Sequence, residues 1–91
     1  MNYRLIYPDS YVKRASKFIK QHPNVAGQYK KVLQLLEIDP YHPSLRLHGL
    51  KGKLQGLSSV SINMNYRIVL ELIIQEHEII LVNICSHQQV Y

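Results

Sequence analysis

The residues of this chain that can do chemistry gather in its second half. The segment His48-Gly49-Leu50-Lys51-Gly52-Lys53-Leu54 sets a histidine and two lysines around two glycines, with Arg46 just upstream. Glycines let a backbone approach a phosphate closely, and lysines neutralise it. The same lysines are equally accounted for as solvated side chains of a loop. The spacing is not that of a Walker loop. Arg67 opens an otherwise apolar run, Ile68-Val69-Leu70. Its guanidinium must reach solvent at a strand face, where it would clamp a phosphate bidentately, or be paired, with Glu71 the nearest acid. Near the C-terminus, His87 can carry a proton at neutral pH, and Tyr91 can stack on a base or hydrogen-bond a phosphate. These groups are remote in sequence, so a site needs strands that end side by side.

Other chemistries find no support. There is no HExxH, CxxC or carboxylate triad, and His42, His48, His77 and His87 lack regular ligand spacing, so neither a metal site nor a cofactor is expected. Cys85 is the single cysteine and follows an apolar stretch, which reads as core and not as nucleophile. Ser58, Ser59 and Ser61 have no nucleophile-elbow motif. A formal charge of +5 with a pI near 9.5 favours a polyanionic partner, whether nucleic acid, an acidic protein segment or a membrane surface. No acidic residue lies between Asp39 and Glu71, a stretch holding Arg46, Lys51, Lys53, Arg67, His42 and His48. The longest unbroken apolar run, Ile79 to Val82, is far too short to span a bilayer, so no membrane association and a soluble, cytoplasmic protein are expected.

The elements that must position these groups follow from periodicity. With 91 residues, 46% apolar and 19% charged, the chain is expected to form one globular domain over residues 1–91. Tyr3, Leu5 and Tyr7 alternate with Arg4 and Ile6 as a short strand closed by Pro8. Asp9 or Ser10 is expected to cap a helix burying Tyr11, Val12, Ala15, Phe18 and Ile19, which ends at His22-Pro23. A second helix is expected from about Asn24 to Ile38, stopped by Asp39-Pro40. Leu45 to Leu50 reads as strand-like, as do Val60 and Ile62 with their polar neighbours. Tyr66 to Ile74 and Glu78 to Ile84 read as longer strands joined through Glu76-His77. The fold class expected is α+β in the order β-α-α-β-β-β, a two-helix hairpin packed on a twisted, mainly antiparallel sheet.

In this order and length the chain resembles the RelE/ParE superfamily of toxins from bacterial and archaeal toxin–antitoxin pairs. The resemblance spans essentially the whole chain. It rests on the element order, on His48-Gly49-Leu50-Lys51-Gly52 followed by Gly56 and the Ser61-Ile62 strand, on Tyr66-Arg67-Ile68-Val69, and on Ser86-His87-Gln88-Gln89-Val90-Tyr91. It implies a toxin neutralised by a cognate antitoxin protein in a small hetero-oligomer. RelE-like and YafQ-like members cut mRNA in the ribosomal A site with the 2′-OH as nucleophile, whereas ParE-like members inhibit DNA gyrase, and fold alone does not choose between them. Matched by position, His48 and His87 correspond to YafQ-type histidines and Tyr91 to the closing aromatic. Lys51, Lys53 and Arg67 correspond to basic positions of RelE-type members. Ser61 and Asn65 stand where YafQ-type proteins carry a second histidine and an aspartate. The resemblance thus implies a metal-independent, ribosome-dependent mRNA endoribonuclease with His48, Arg67, His87 and Tyr91 as catalytic candidates and Arg46, Lys51 and Lys53 as RNA-binding candidates; the alternative is a gyrase inhibitor or a non-cleaving nucleic-acid binder. Proton transfer would fall on His48 and His87. Both Arg67 and His87 are expected to be exposed or half-exposed, so truncating either should cost only about 0.5 kcal/mol of stability.

Overall fold

A computed structural model describes residues 2–87. Strand β1 (Arg4–Ile6) leads into helix α1 (Asp9–Gln21), and a short 3-10 turn at Pro23–Val25 passes to helix α2 (Ala26–Ile38). Four strands follow: β2 (His48–Gly49), β3 (Ser58–Ser61), β4 (Tyr66–Ile73) and β5 (Glu78–Ser86). The spatial order in the sheet is β1-β5-β4-β3-β2. β2 to β5 pair antiparallel, as the alternating segments and intervening turn residues predict. β1 lies parallel to β5, so the last strand of the chain is inserted between the first strand and β4.

Helix α1 starts without the side-chain cap expected of Asp9 or Ser10. Pro8 occupies the cap position in extended conformation, and Asp9 instead sits in the first turn, where a carboxylate favours the positive end of the helix. Tyr11, Ala15 and Phe18 are buried, but Val12, expected on the same face, is 45% exposed. It lies beyond the line where α1 meets the sheet and faces the cleft beside α2. The Tyr11 and Tyr29 hydroxyls meet at 2.7 Å and tie the helices together. The turn between the helices is fixed by His22, whose ring lies between Phe18 and Tyr66 at 4.4 and 4.8 Å.

The main core lies between the helices and one face of the sheet. Leu36, Val60, Ile68, Leu70, Ile79 and Leu81 are completely buried there. The other face carries a smaller apolar cluster, Leu50 with Val69, supported by Leu54, Leu57, Val82 and Cys85. The strand-like reading of Leu45 to Leu50 is realised in only two residues. Pro43–Leu45 forms a 3-10 turn and Arg46 takes a left-handed conformation with φ 51°, which ends regular backbone before β2 begins.

One irregularity decides which side chains share a face. β4 and β5 run in register from Leu72↔Ile79 to Leu70↔Leu81, then resume at Val69↔Asn83, leaving Val82 as the extra residue of a β-bulge. Side chains alternate across a strand, so one inserted residue reverses the alternation beyond it. Ile79 and Leu81 before the bulge and Ile84 after it therefore all join the core on the helix side. Asn83 and Cys85 are turned to the open face. Leu70→Ala, which opens a cavity where strand and helix layers meet, should destabilise the protein by about 2–5 kcal/mol in urea unfolding. Met64→Ala, at a site 91% exposed, should lie within about 0.5 kcal/mol of wild type. Equal effects at the two positions would contradict the placement of the core.

Candidate functional site

The open face of the sheet gathers polar groups in a row across three strands. His48 on β2 pairs with Ser59 on β3, and Ser59 pairs with Val69 on β4. Two residues back along β4, Arg67 pairs with Ser61 on one side and Cys85 on the other. The Arg67 side chain is 3% exposed and lies across this row. Its Nε donates to Ser59 Oγ at 2.8 Å, and Nη2 donates to the Arg46 carbonyl at 3.0 Å and contacts His48 Nδ1 at 3.2 Å. Ser59 is itself completely buried.

The sequence left Arg67 either on solvent as a phosphate clamp or paired with Glu71. Instead it is buried and bonded within the protein, while Glu71 stands exposed on β4 and makes no ion pair with it. The expectation that its truncation costs little is therefore overturned: a desolvated guanidinium is tolerable only because several acceptors meet it. The charge is felt by its neighbour. Burial pushes the Cys85 thiol up from its usual range, and the Arg67 guanidinium partly opposes the shift. Cys85 thus packs against the second cluster as the sequence suggested.

Arg46, Lys51 and Lys53 are exposed, Arg46 just before β2 and the lysines in the connection between β2 and β3. Gly52 with φ 67° and Gly56 with φ 95° occupy left-handed conformations in that connection, the role glycine is suited to. The loop is anchored from beneath by Leu50, Leu54 and Leu57, so its lysines are held outward over the open face by an apolar base.

His87 follows β5, and its backbone N–H donates to the Asn65 carbonyl at 2.7 Å, continuing the antiparallel register one step past Tyr66↔Ser86. A cavity of about 350 Å³ beside it is lined by Met64, Asn65, Tyr66, Ser86 and His87. β2 and β5 lie three strand spacings apart, and His87 follows β5 four positions beyond Asn83, the residue in line with His48, so the two histidines are not neighbours. The structure therefore joins His48 to Arg67 directly, whereas His87 lies past the end of β5 beside Asn65, Tyr66 and Ser86. Tyr91 lies outside the described residues.

Two polar residues that the sequence did not single out organise this face. Ser59 fixes Arg67; its only signal is a serine alternating with the core residues Val60 and Ile62, which does not reveal an arginine from another strand. Asn63 builds the turn between β3 and β4. Its Oδ1 accepts from the backbone of Asn65 and Tyr66 at 2.8 and 3.1 Å, and its Nδ2 donates to Gln28 of α2 at 3.1 Å. Ser61 donates to the Asn63 carbonyl at 2.8 Å, so Ser61 and Asn65 are both engaged in this turn. Among the described residues no three His, Cys, Asp or Glu side chains converge as metal ligands. None of their helices is long and apolar enough to cross a membrane.

Neither a protein-family model nor a curated protein sequence matches this chain, but solved structures do. YafQ from E. coli strain BL21(DE3) is similar over 98% of both chains with a TM-score of 0.77 at 12% identity. YafQ in the E. coli DinJ-YafQ toxin-antitoxin complex matches over 100% of this chain and 99% of its own, with a TM-score of 0.76 at 14% identity. A chain of the Mycobacterium tuberculosis toxin-antitoxin complex RelBE2 matches over 96% of this chain and 100% of its own, at 0.70 and 13%. At these identities the likeness is one of fold: two helices on one face of a five-stranded mixed sheet, the RelE/YafQ-like arrangement.

Arg67→Ala should destabilise the protein by about 2–4 kcal/mol in chemical denaturation, because it strands the buried Ser59 hydroxyl and removes the donor to the strained Arg46 carbonyl. A loss below about 0.5 kcal/mol would mean that the guanidinium is solvated and the network unimportant.

Proposed function

We propose that this protein is the toxin of a toxin–antitoxin pair and acts as an endoribonuclease that cuts mRNA on the translating ribosome in the cytoplasm. The observation that carries this reading is the end-to-end coincidence of its fold with that of YafQ, in a chain that carries His87 just past β5 and the exposed cations Arg46, Lys51 and Lys53 at and after the edge strand β2. Cleavage then needs only groups of this kind. The 2′-oxygen attacks phosphorus and its proton passes to the His87 imidazole. The bond from phosphorus to the 5′-oxygen breaks, and that oxygen takes a proton from water, leaving a 2′,3′-cyclic phosphate and a 5′-hydroxyl. Lys51, Lys53 and Arg46 attract the RNA backbone, and Tyr91 is assigned to stacking on a base. With so few groups, much of the acceleration comes from orientation, which the ribosome supplies by holding the message.

The DinJ-YafQ and RelBE2 structures are complexes with an antitoxin, and this chain offers a surface for one. An apolar groove of about 500 Å³ runs between α1 and α2, lined by Tyr7, Val12, Ala15, Ile19, Tyr29 and Leu33. Lys20 lines it, and Lys13 and Lys17 on α1 and Lys30 on α2 are exposed on the same two helices. Apolar floor and cationic rim together suit an amphipathic helix with acidic flanks, the segment we assign to the antitoxin.

Purified protein should cut ribosome-bound mRNA, cut the same message poorly when free, and leave a message with a 2′-deoxy nucleotide at the mapped site intact. His87→Ala should lower cleavage by about 10²–10⁴-fold with the fold retained by circular dichroism. Undiminished cutting of the deoxy message would eliminate 2′-OH attack. No cutting at all, together with blocked supercoiling by gyrase, would move the protein to the ParE-like alternative.

Val12→Asp should weaken binding of the antitoxin encoded in the neighbouring reading frame at least about tenfold, or 1.4 kcal/mol, while leaving cleavage unchanged. Unaltered affinity in a folded variant would place the antitoxin elsewhere.

A further inference from the structure

We propose that the cavity beside His87 is a nucleobase pocket and that Asn65 is its specificity-determining residue, selecting adenine in a nucleotide that flanks the cleaved bond. This rests on the cleavage reading above and deepens it by naming the base that the site prefers.

The turn between β3 and β4 carries two asparagines with opposite commitments. Asn63 gives its side chain to structure: Oδ1 accepts from the Asn65 and Tyr66 backbone at 2.8 and 3.1 Å, and Nδ2 donates to Gln28 at 3.1 Å. Asn65 is held by its main chain. Its N–H makes that 2.8 Å bond to Asn63, and its carbonyl accepts from the His87 N–H at 2.7 Å. Asn65 is exposed, and its side-chain amide makes no hydrogen bond among the described residues. The turn thus fixes where the amide sits, directly beside the proposed proton acceptor, while leaving its donor and acceptor uncommitted. The aspartate that YafQ-type proteins carry here can exchange a proton, whereas an amide cannot, so recognition is the chemistry left to position 65.

The cavity has walls suited to a base. Its volume of about 350 Å³ lies between Met64, Asn65, Tyr66, Ser86 and His87. Tyr66 supplies an aromatic wall braced by the Phe18 and His22 rings at 4.9 and 4.8 Å. Met64 is 91% exposed, and its polarizable thioether can settle on a ring that enters. Among the described residues no lysine or arginine lines the cavity, so it suits the base of a nucleotide and not the phosphate. A side-chain amide sets one donor beside one acceptor. Adenine matches that pair with N7 beside N6–H, whereas guanine shows two acceptors along the same edge and a pyrimidine has no N7.

Two measurements test this on the full chain. Mapping of 5′-hydroxyl ends along ribosome-bound messages should show wild type cutting with adenine at one fixed position beside the cleaved bond, at least about tenfold over other bases. Asn65→Ala should reduce that preference below about threefold, and Asn65→Asp, whose carboxylate cannot donate to N7, should lose it likewise. Both variants should stay folded by circular dichroism, because the bonds that hold Asn65 in the turn are main-chain bonds. In nuclear magnetic resonance titrations, adenosine monophosphate should shift the Asn65 side-chain amide and the Met64 methyl signals, and cytidine monophosphate should not. Where the protein cuts, the map decides: cleavage without adenine preference, or a preference that Asn65→Ala leaves intact, would overturn the pocket while the cleavage reading stands. A wild-type protein that cuts no message would sink the cleavage reading, and the titration would then decide the pocket. A response selective for adenosine monophosphate would uphold it, and equal responses or none would overturn it.

Discussion

The open face of this protein depends on how one buried cation is satisfied. Removing an arginine side chain from water is tolerated only when its donors meet acceptors in good geometry. Arg67 meets them on two other stretches of the chain: a hydroxyl on β3, and a carbonyl and a ring nitrogen at and just before β2. This one side chain therefore does what a two-residue strand cannot do by backbone pairing alone. It ties the edge strand β2 to the sheet interior and holds Arg46 in its left-handed turn. The loop carrying Lys51 and Lys53 begins from that fixed point, so the cationic end of the face inherits its position from an arginine that is itself out of reach of solvent.

The other end of the face depends on the bulge at Val82. β5 carries apolar residues on both of its faces, Ile79, Leu81 and Ile84 on one and Val82 and Cys85 on the other, which makes two phases of alternation energetically close before the partner strand is considered. The extra residue lets Ile79 and Leu81 enter the helix-side core and then delivers Ile84 to the same core, at the cost of a local break in pairing. Cys85 is turned to the side of Arg67 as a result. The bulge and the buried arginine thus fix the two ends of one surface by independent means, one through backbone register and one through side-chain hydrogen bonds.

The two sides of the sheet carry different surfaces. The helix side holds the apolar groove and its lysine rim, built from α1 and α2. The opposite side holds Ser59, Arg67 and His48, and the hydrophobic core lies between them. Under the proposed function, a protein partner on the helices and RNA on the open sheet face would meet different side chains, and any coupling between them would come from steric reach around the domain.

Sequence alone determined the elements and their kind. Prolines at 8, 23 and 40, helical spacing through Phe18 and Leu36, and alternation around Val60 act over a few residues, and local periodicity is enough to read them. It also marked His48, Lys51, Lys53, Arg67 and His87 as chemically capable. What it could not determine was which of these touch, because each contact joins strands whose register is chosen by the whole sheet. The parallel placement of β1 beside β5, the bulge at Val82 and the exposure of Val12 are of that kind. So is the fate of Arg67, an arginine at the head of an apolar run that can equally face water or the interior. Only when Ser59, Arg46 and His48 are brought within hydrogen-bond distance does burial become the lower-energy choice, and those three acceptors are 8 to 21 positions away along the chain.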